Sequence, residues 1–229
     1  NHAAKIRFVS NGRHKVPLTI VSFIARKAGE GVQHSQSFQA SFAHIPGLKV
    51  VMPASPYDAK GLLLSAVEDE DPVIVLYHRT LFDETSIVPE GFYKVPIGSA
   101  RIVKPGKDIT IITTSATVKD AQHAIDALKK DAIYPELIDL RSIRPLDKKL
   151  IINSVKKTGR VVVVDTGWKS FGVTAEVVAI ISEGAFSSLK CPPKRIGMME
   201  TSCPASPYLL KDYHPTQEKI VATIREMMK

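Results

Sequence analysis

The sequence lacks any apolar run long enough to span a bilayer, and it opens without a basic region followed by an apolar core. Internal repeats and low-complexity tracts are also absent. Its 229 residues, of which 44% are hydrophobic and 24% charged, have ordinary globular composition and suit one large domain or two small ones. We therefore expect a soluble globular protein without a membrane partner.

Cysteine is scarce. Cys191 and Cys203 lie in separate proline-containing segments and lack the spacing of metal ligands. We interpret them as reduced thiols in a reducing compartment, with a disulfide as the alternative.

Nucleic-acid-binding motifs are absent and tryptophan occurs once, although the net charge is +8. The lysines and arginines are spread along the chain rather than gathered on one element. We therefore expect no nucleic-acid partner. The basic surface indicates either contact with an acidic protein partner or a solvated face without any partner.

The first part of the chain has the pattern of a parallel crossover unit. Apolar runs predict strands at residues 16–23, 49–52 and 72–77, and helical spacing of apolar residues predicts a helix at 55–68. Only one helix-like stretch, residues 1–10, precedes the first strand. Too few elements remain to close a doubly wound sheet, so we expect this domain to be N-terminally incomplete.

The strand–helix alternation starts again in the second half of the chain. Strands are predicted at residues 108–113, 134–139, 160–165 and 194–198, and helices at 117–130, 148–157, 173–183 and 216–228. Continuous runs such as Val161–Val164 are typical of parallel strands covered on both faces. The fold class is therefore α/β, with two doubly wound domains and mainly parallel sheets. We place the domains at residues 1–88 and 107–229, joined by a linker rich in proline and glycine at 89–106.

The most informative segment is residues 29–56, a glycine-bearing loop that leads into His34 and then into a predicted short amphipathic helix at 38–45. His34 follows a strand and precedes a helix, and ligands of open α/β sheets bind at such an edge. A histidine there can move a proton near neutral pH. The alternative makes Ser35 or Ser37 an ordinary helix N-cap and His34 a polar loop residue.

Several strings in this chain resemble one enzyme family, in that family's order and spacing. They are QHSQSF at residues 33–38, AHIPGLKVV at 43–51, DAKGLL at 58–63, IDLRSIRPLD at 138–147 and VVVVDTGWKSFGVTAEV at 161–177. The chain resembles the β subunit of the thiamine-diphosphate-dependent 2-oxoacid dehydrogenase E1 component, whose members act on pyruvate, branched-chain 2-oxoacids or acetoin. The resemblance implies a transketolase-like pyrimidine-binding domain followed by a transketolase C-terminal-like domain.

The resemblance also implies a reaction and its partners. The reaction is oxidative decarboxylation of a 2-oxoacid, of pyruvate or branched-chain type, with acyl transfer to the lipoyl group of an E2 acyltransferase. The diphosphate and Mg²⁺ are held by an α subunit in an α2β2 heterotetramer, and this chain accordingly has no GDG-type diphosphate motif. The expected location is the cytoplasm of a prokaryote, or the mitochondrial matrix or plastid of a eukaryote.

On the family pattern, His34 is the catalytic residue, a proton relay or electrostatic partner of the oxoacid-derived intermediate. Roughly the first third of the β subunit is missing from this sequence. The glutamate that contacts the aminopyrimidine ring lies in that third, so no cofactor-binding residue is assigned here.

A cation site is predicted at the acidic turn after the first domain's helix. Free carbonyls at a helix end together with carboxylates suit a hard cation. On the family match, Ala66, Asp69 and Asp71 are the ligands of a structural potassium ion. The alternative is a solvated acidic turn.

Two further motifs are either architectural or functional. Arg141 and Arg144, followed by Asp147, come just after a strand, where arginines can pair with carboxylates across a domain or subunit boundary. Gly167-Trp168 precedes a helix whose N-terminus is free for an anion or a neighbouring loop.

The chain departs from the family pattern in three places, which puts the substrate in doubt. Tyr77 stands where an acidic residue is usual, residues 200–208 read ETSCPASPY, and Arg26-Lys27 place charges in the loop before His34. Two other functions compete with the leading one. A transketolase-like or deoxyxylulose-phosphate-synthase-like enzyme shares the domain order but lacks the strings around His34. A truncated, non-catalytic β-like scaffold chain would lack the N-terminal third altogether.

Overall fold

Two β-sheets with helices packed against them make up the part of the chain that the computed structural model describes, residues 1–24 and 30–229. The strands are β1 Thr19–Ile24, β2 Lys49–Val51, β3 Val73–His78, β4 Arg101–Lys104, β5 Thr110–Thr113, β6 Glu136–Asp139, β7 Ser142–Arg144, β8 Val161–Trp168 and β9 Lys194–Met198. The helices are α1 His2–Val9, α2 Gly31–His34, α3 Gln39–Ala43, α4 Pro56–Val67, α5 Thr117–Leu128, α6 Lys148–Thr158, α7 Val173–Ala185, α8 Pro207–Tyr213 and α9 Gln217–Met228. Arg26 and Lys27 lie outside the described residues.

The first sheet has the strand order β1-β3-β2-β7, and β1, β3 and β2 are parallel. Helix α4 makes the crossover between β2 and β3, as predicted. Ser55 caps α4, since its Oγ accepts a hydrogen bond from the Asp58 N–H at 3.2 Å, and Pro56 occupies the first turn. The parallel crossover unit in the first domain is therefore confirmed.

The fourth strand of this sheet comes from the second half of the chain. Strand β7 pairs antiparallel with β2, bringing Arg144 opposite Val50 and Ser142 opposite Val51. The sequence predicts no strand there, because three residues are too few to show a period of two. The two domains thus share a sheet.

The second sheet has the order β4-β6-β5-β8-β9, and all its pairs are parallel except β4 with β6. Strand β4 lies within the predicted linker, so that part of the linker belongs to a sheet. The four residues of β4 alternate only weakly in burial, and Pro105-Gly106 follows them directly. The sequence therefore shows no clear strand pattern there. The predicted mainly parallel α/β class is confirmed, while the domain boundaries stay a prediction.

The apolar core runs without interruption from one domain to the other. One cluster packs Met52 and Leu76 of the first domain with Ile112 and Val163 of the second. A separate cluster lies under α5 and α9 on the far side of the second sheet. Burial of this kind is the main source of folding free energy, so the domain contact is part of the core.

Charged groups are also buried where the domains meet. Arg141 Nη2 lies 2.6 Å from Asp58 Oδ1, and both Asp58 and Asp139 are completely buried. Arg101 Nη2 lies 3.5 Å from Asp58 Oδ2 and 3.9 Å from Asp139 Oδ2. Burial, with the adjacent Asp58 carboxylate as the second cause, raises the pKa of Asp139 to about 7.

This cluster confirms one predicted pairing and corrects another. Arg141 does pair with a carboxylate across the domain boundary. Arg144 instead donates to the Ala43 carbonyl at 3.1 Å. Asp147 is architectural, because its Oδ1 accepts the Leu150 N–H and caps α6 while its Oδ2 accepts the Ala100 N–H.

Candidate functional site

His34 lies beyond the carboxyl end of β1, at the last residue of the short helix α2, and its side chain is exposed. Helix α3 follows after four residues. The predicted position between a strand and a helix is thus observed, with a four-residue helix added. That helix begins at Gly31, whose φ of +74° is readily adopted only by glycine.

The segment after His34 alternates in burial. Ser35, Ser37 and Gln39 are buried, whereas the residues between them face outward. Neither serine caps a helix: the N-cap of α3 is Phe38, which makes no side-chain cap. The N-cap interpretation of these serines is therefore wrong. Among the described residues, neither serine Oγ has a hydrogen-bond partner.

Gln39 connects this segment to the second domain. Its Nε2 donates to Asp165 Oδ2 at 2.9 Å, and Asp165 is the fifth residue of β8. Asp165 also accepts the Thr114 hydroxyl at 2.5 Å and the Gly167 N–H at 3.2 Å. Burial raises the pKa of Asp165, and these donors oppose the rise by stabilising the carboxylate.

The other end of the His34 segment is held by an ion pair. Arg79 Nη1, in the 3-10 turn after β3, lies 2.7 Å from Glu30 Oε2. Glu30 directly precedes α2, so His34 lies between two side-chain contacts that reach different parts of the chain.

The segment 200–208, which departs from the family pattern, lies beside α2. A Cβ on Gly31 would be 3.9 Å from Ala205 Cβ. Trp168 Nε1 and the Tyr213 hydroxyl both donate to the Thr201 carbonyl, at 3.1 and 3.0 Å. The Trp168 side chain therefore has an architectural role at this loop, while the predicted role of the helix N-terminus that follows Gly167-Trp168 stays a prediction.

An apolar cavity of about 360 Å³ lies at the carboxyl ends of β1 and β3. Phe23 and Phe82 line it and meet edge-to-face, with ring centroids 5.3 Å apart. Tyr77 also lines it and directs its hydroxyl to the Ala59 carbonyl at 3.4 Å, and burial raises the pKa of Tyr77. His78, buried at the same edge, contacts the Thr80 hydroxyl through Nδ1 at 2.7 Å.

The sequence alone did not single out Gln39, Asp165 or His78. Asp165 did carry a signal, because a carboxylate that ends a run of four valines must be buried and needs donors. Gln39 carried none, since its partner Asp165 lies 126 residues further along the chain.

The acidic turn after α4 is surrounded by basic side chains. Lys49 Nζ lies 2.7 Å from both carboxylate oxygens of Asp69 and 3.5 Å from Asp71 Oδ2. The Ala66 carbonyl accepts the Thr19 hydroxyl at 2.9 Å. Among the described residues, no group of three or more His, Cys, Asp or Glu is placed to hold a metal. A potassium site also uses backbone carbonyls, so the assignment to Ala66, Asp69 and Asp71 stays a prediction.

Both cysteines are free thiols, Cys203 buried and Cys191 partly so. The disulfide alternative is therefore wrong for this fold. No helix in the described ranges is long and apolar enough to cross a membrane.

Two domain families match this chain, the transketolase pyrimidine-binding domain over residues 1–84 and the transketolase C-terminal domain over residues 98–220. A solved structure, "Split gene transketolase, inactive beta4 tetramer", superposes with a TM-score of 0.77, covering 99% of this chain and 74% of that one. At 24% sequence identity, that similarity shows the fold alone.

Three named proteins are similar over the whole chain. The β subunit of acetoin:2,6-dichlorophenolindophenol oxidoreductase from Cupriavidus necator is 40% identical over 229 residues, all of this chain and 68% of that one. The pyruvate dehydrogenase E1 component subunit β of Acholeplasma laidlawii is 39% identical, with 100% and 70% covered. The 2-oxoisovalerate dehydrogenase subunit β of Bacillus subtilis is 40% identical, with 99% and 70% covered. The chain therefore belongs to the transketolase-like family of 2-oxoacid dehydrogenase E1 β subunits.

Proposed function

We propose that this chain is the β component of a thiamine-diphosphate-dependent 2-oxoacid dehydrogenase E1. The observation that carries the proposal is the exposed His34 side chain at the carboxyl edge of parallel strands, on a segment held at both ends. Ligands of open α/β sheets bind at that edge. The reaction is oxidative decarboxylation of a 2-oxoacid, of pyruvate or branched-chain type, followed by acyl transfer to a lipoyl group.

The residues at this edge suit the aromatic half of the cofactor better than its diphosphate. The cavity beside β1 and β3 has an aromatic wall, formed by Phe23 and Phe82, and few polar groups. The sequence has no GDG-type motif. Thiamine diphosphate, when bound, supplies the carbanion and the electron sink. The family glutamate that contacts the aminopyrimidine lies outside this sequence, so we assign no such contact to this chain.

His34 is the group of this chain that moves or stabilises a proton at the reacting centre. Its imidazole has both a donor and an acceptor nitrogen, and its exposure lets it reach a ligand beyond the sheet. The loop at residues 200–208 borders the same helix, so its departure from the family pattern bears on which acid is accepted.

The partners follow from the two halves of the chemistry. An α subunit in an α2β2 heterotetramer holds the diphosphate and Mg²⁺, and a lipoyl-bearing E2 acyltransferase accepts the acyl group. The proposed location is the cytoplasm of a prokaryote, or the mitochondrial matrix or plastid of a eukaryote.

Reconstitution with an α subunit tests the proposal. The isolated chain should not turn over a 2-oxoacid, and co-purification with a GDG-bearing α subunit should give thiamine-dependent decarboxylation. In that assembly His34→Ala should lower kcat by roughly 10²-fold or more, the usual range for a positioned proton-transfer group. His123→Ala, at an exposed position of α5, is the matched control and should leave kcat unchanged. Turnover by the isolated chain would overturn the two-subunit assignment, and wild-type kcat in His34→Ala would remove His34 from the chemistry.

A further inference from the structure

We propose that Asp165, acting through Gln39, is a positioning residue for His34. The inference rests on the proposed function of His34. It assigns the placement of a first-domain catalytic side chain to a carboxylate of the second domain, 126 residues from its Gln39 partner.

Few side-chain hydrogen bonds hold the segment that carries His34. Ser35 and Ser37 are buried, yet within the described ranges their hydroxyl oxygens make no hydrogen bond. The Gln39 bond to Asp165 is the one side-chain hydrogen bond that residues 34–39 make in the described part of the chain. The ion pair of Glu30 with Arg79 holds the opposite end of α2. These two side-chain polar contacts therefore hold the two ends of the segment that bears His34.

Asp165 is suited to the role because the second domain sets its orientation independently. Oδ1 accepts the Thr114 hydroxyl, and Oδ2 accepts the Gly167 N–H as well as Gln39 Nε2. Two of these donors, Thr114 and Gly167, belong to the second domain, and they orient both oxygens of the buried carboxylate without any contribution from Gln39. Gln39 thus docks onto an acceptor that does not move with the His34 segment.

Gly167 provides a second, independent observation. A Cβ at this position would lie 2.8 Å from Asp165 Oδ2 and 2.9 Å from Gln39 Nε2, closer than Cβ atoms normally approach. The glycine therefore leaves the space through which Gln39 reaches Asp165. Gly167→Ala should push the Gln39 amide and the Asp165 carboxylate away from their bonded positions without removing either polar group.

Displacement of His34 is expected to act on the rate rather than on substrate binding. Misplacing a catalytic group by about 1 Å can cost up to about 10²-fold in rate. A contact that matters only in the transition state lowers kcat and kcat/KM together. We therefore expect Gln39→Ala and Asp165→Asn each to lower kcat by roughly 10-fold or more, with KM within about twofold.

The experiment compares single and double variants in the assembled α/β enzyme. The value of kcat is calculated per assembled active site, so that a loss of assembly is not counted as a loss of rate. Gln39→Ala with Asp165→Asn should be no slower than the slower single variant, since both interrupt one connection. Gln39→Ala in the His34→Ala background should have no further effect. Thr110→Val is the control, because it removes a buried hydroxyl at the opposite end of β5 from Thr114 and should change stability but not kcat.

Each outcome separates this inference from the proposed function. If His34→Ala is slow but Gln39→Ala and Gly167→Ala have wild-type kcat, positioning through Gln39 is refuted and the function stands. If Gln39→Ala slows His34→Ala further by its full single-variant factor, Gln39 acts on something other than His34. If Asp165→Asn does not assemble, Gln39→Ala carries the same test, since it keeps the Asp165 carboxylate together with its Thr114 and Gly167 donors. Wild-type kcat in His34→Ala refutes the function itself.

Discussion

The buried acid at the domain interface gives a prediction with a definite sign. Asp139 is completely buried, close to Asp58, Arg101 and Arg141, and its pKa is raised to about 7 from 3.8. At pH values between these two, the folded state holds a proton that the unfolded state has lost. The free energy of unfolding must then fall as pH rises through this window. Below pH 3.8 both states are protonated and the contribution is constant.

The size of the effect follows from the width of the window. From 3.8 to about 7 is about three pH units, and each unit corresponds to about 1.4 kcal/mol, so the full loss is roughly 4 kcal/mol. Between pH 5 and pH 8, the free energy of unfolding is expected to fall by roughly 3 kcal/mol because of Asp139. That is a large fraction of the stability of an ordinary domain.

Asp139→Asn isolates this effect, because all other titrating groups remain in both proteins. The amide oxygen still accepts the Arg141 N–H, which Asp139 Oδ1 accepts at 3.0 Å, and Asp139 Oδ2 has no hydrogen-bond partner among the described residues. Denaturant unfolding at several pH values should show the wild-type free energy falling relative to the variant by roughly 3 kcal/mol from pH 5 to pH 8. In an Asp58→Asn background the fall should shrink, because the Asp58 charge raises the pKa of Asp139. A wild-type-to-variant difference that is constant over this range would refute the reasoning.

Three further changes test other contacts. Arg141→Met should lower the free energy of unfolding by about 3–5 kcal/mol, because it leaves a buried carboxylate without its partner at 2.6 Å. Gly47→Ala should cost about 2 kcal/mol or more and loosen α1, since φ is +95° and a Cβ would lie 1.9 Å from the Ala4 carbonyl oxygen. If potassium binds at the acidic turn, the melting temperature should rise more with potassium than with sodium or choline at equal ionic strength, and Asp69→Asn with Asp71→Asn should abolish that difference.

Each of these has a control in the same chain. Arg144→Met removes an exposed guanidinium that donates to the Ala43 carbonyl and has no carboxylate partner within residues 1–24 and 30–229, so it should cost less than Arg141→Met; equal losses would contradict the buried-pair argument. Gly12→Ala has a similar positive φ with nothing within 4 Å, so it measures backbone strain without overlap. Equal losses for Gly12→Ala and Gly47→Ala would mean that the contact with α1 is unimportant. Identical melting shifts for the three cations would mean that basic side chains such as Lys49 and Arg7 balance the charge of the turn without a bound ion.

What the sequence predicted well depended on residues close together in the chain. Helix α4 begins and ends within one residue of its predicted bounds, since Ser55 and Pro56 are local start signals. The valines of β8 show a buried parallel strand by themselves. His34 was singled out because a string around it resembles a family, and its catalytic role stays a prediction; the alternative that made its neighbouring serines helix caps was wrong.

What the sequence did not predict depended on partners far along the chain. Strand β7 exists because Arg144 and Ser142 meet β2, and a three-residue run carries no period of its own. The hydrogen bond from Gln39 to Asp165 spans 126 residues, and the sequence around one residue does not indicate that the other is its partner. Sequence patterns over neighbouring residues predict a helix or a strand. A single contact between residues far apart in the chain produces no periodic pattern in the sequence.

Three long-range contacts join the two halves of the chain. Strand β7 extends the first sheet, Arg141 neutralises Asp58 in α4, and Asp165 receives Gln39 from the His34 segment. The proline- and glycine-rich linker predicted at residues 89–106 marks a change in composition. It does not separate a first domain that could form the candidate site without the second. Because the segment bearing His34 takes its fixed position from a carboxylate in the other sheet, the geometry of the candidate site is a property of the domain interface. A change deep in the second domain can therefore alter kcat without touching any group that meets the substrate.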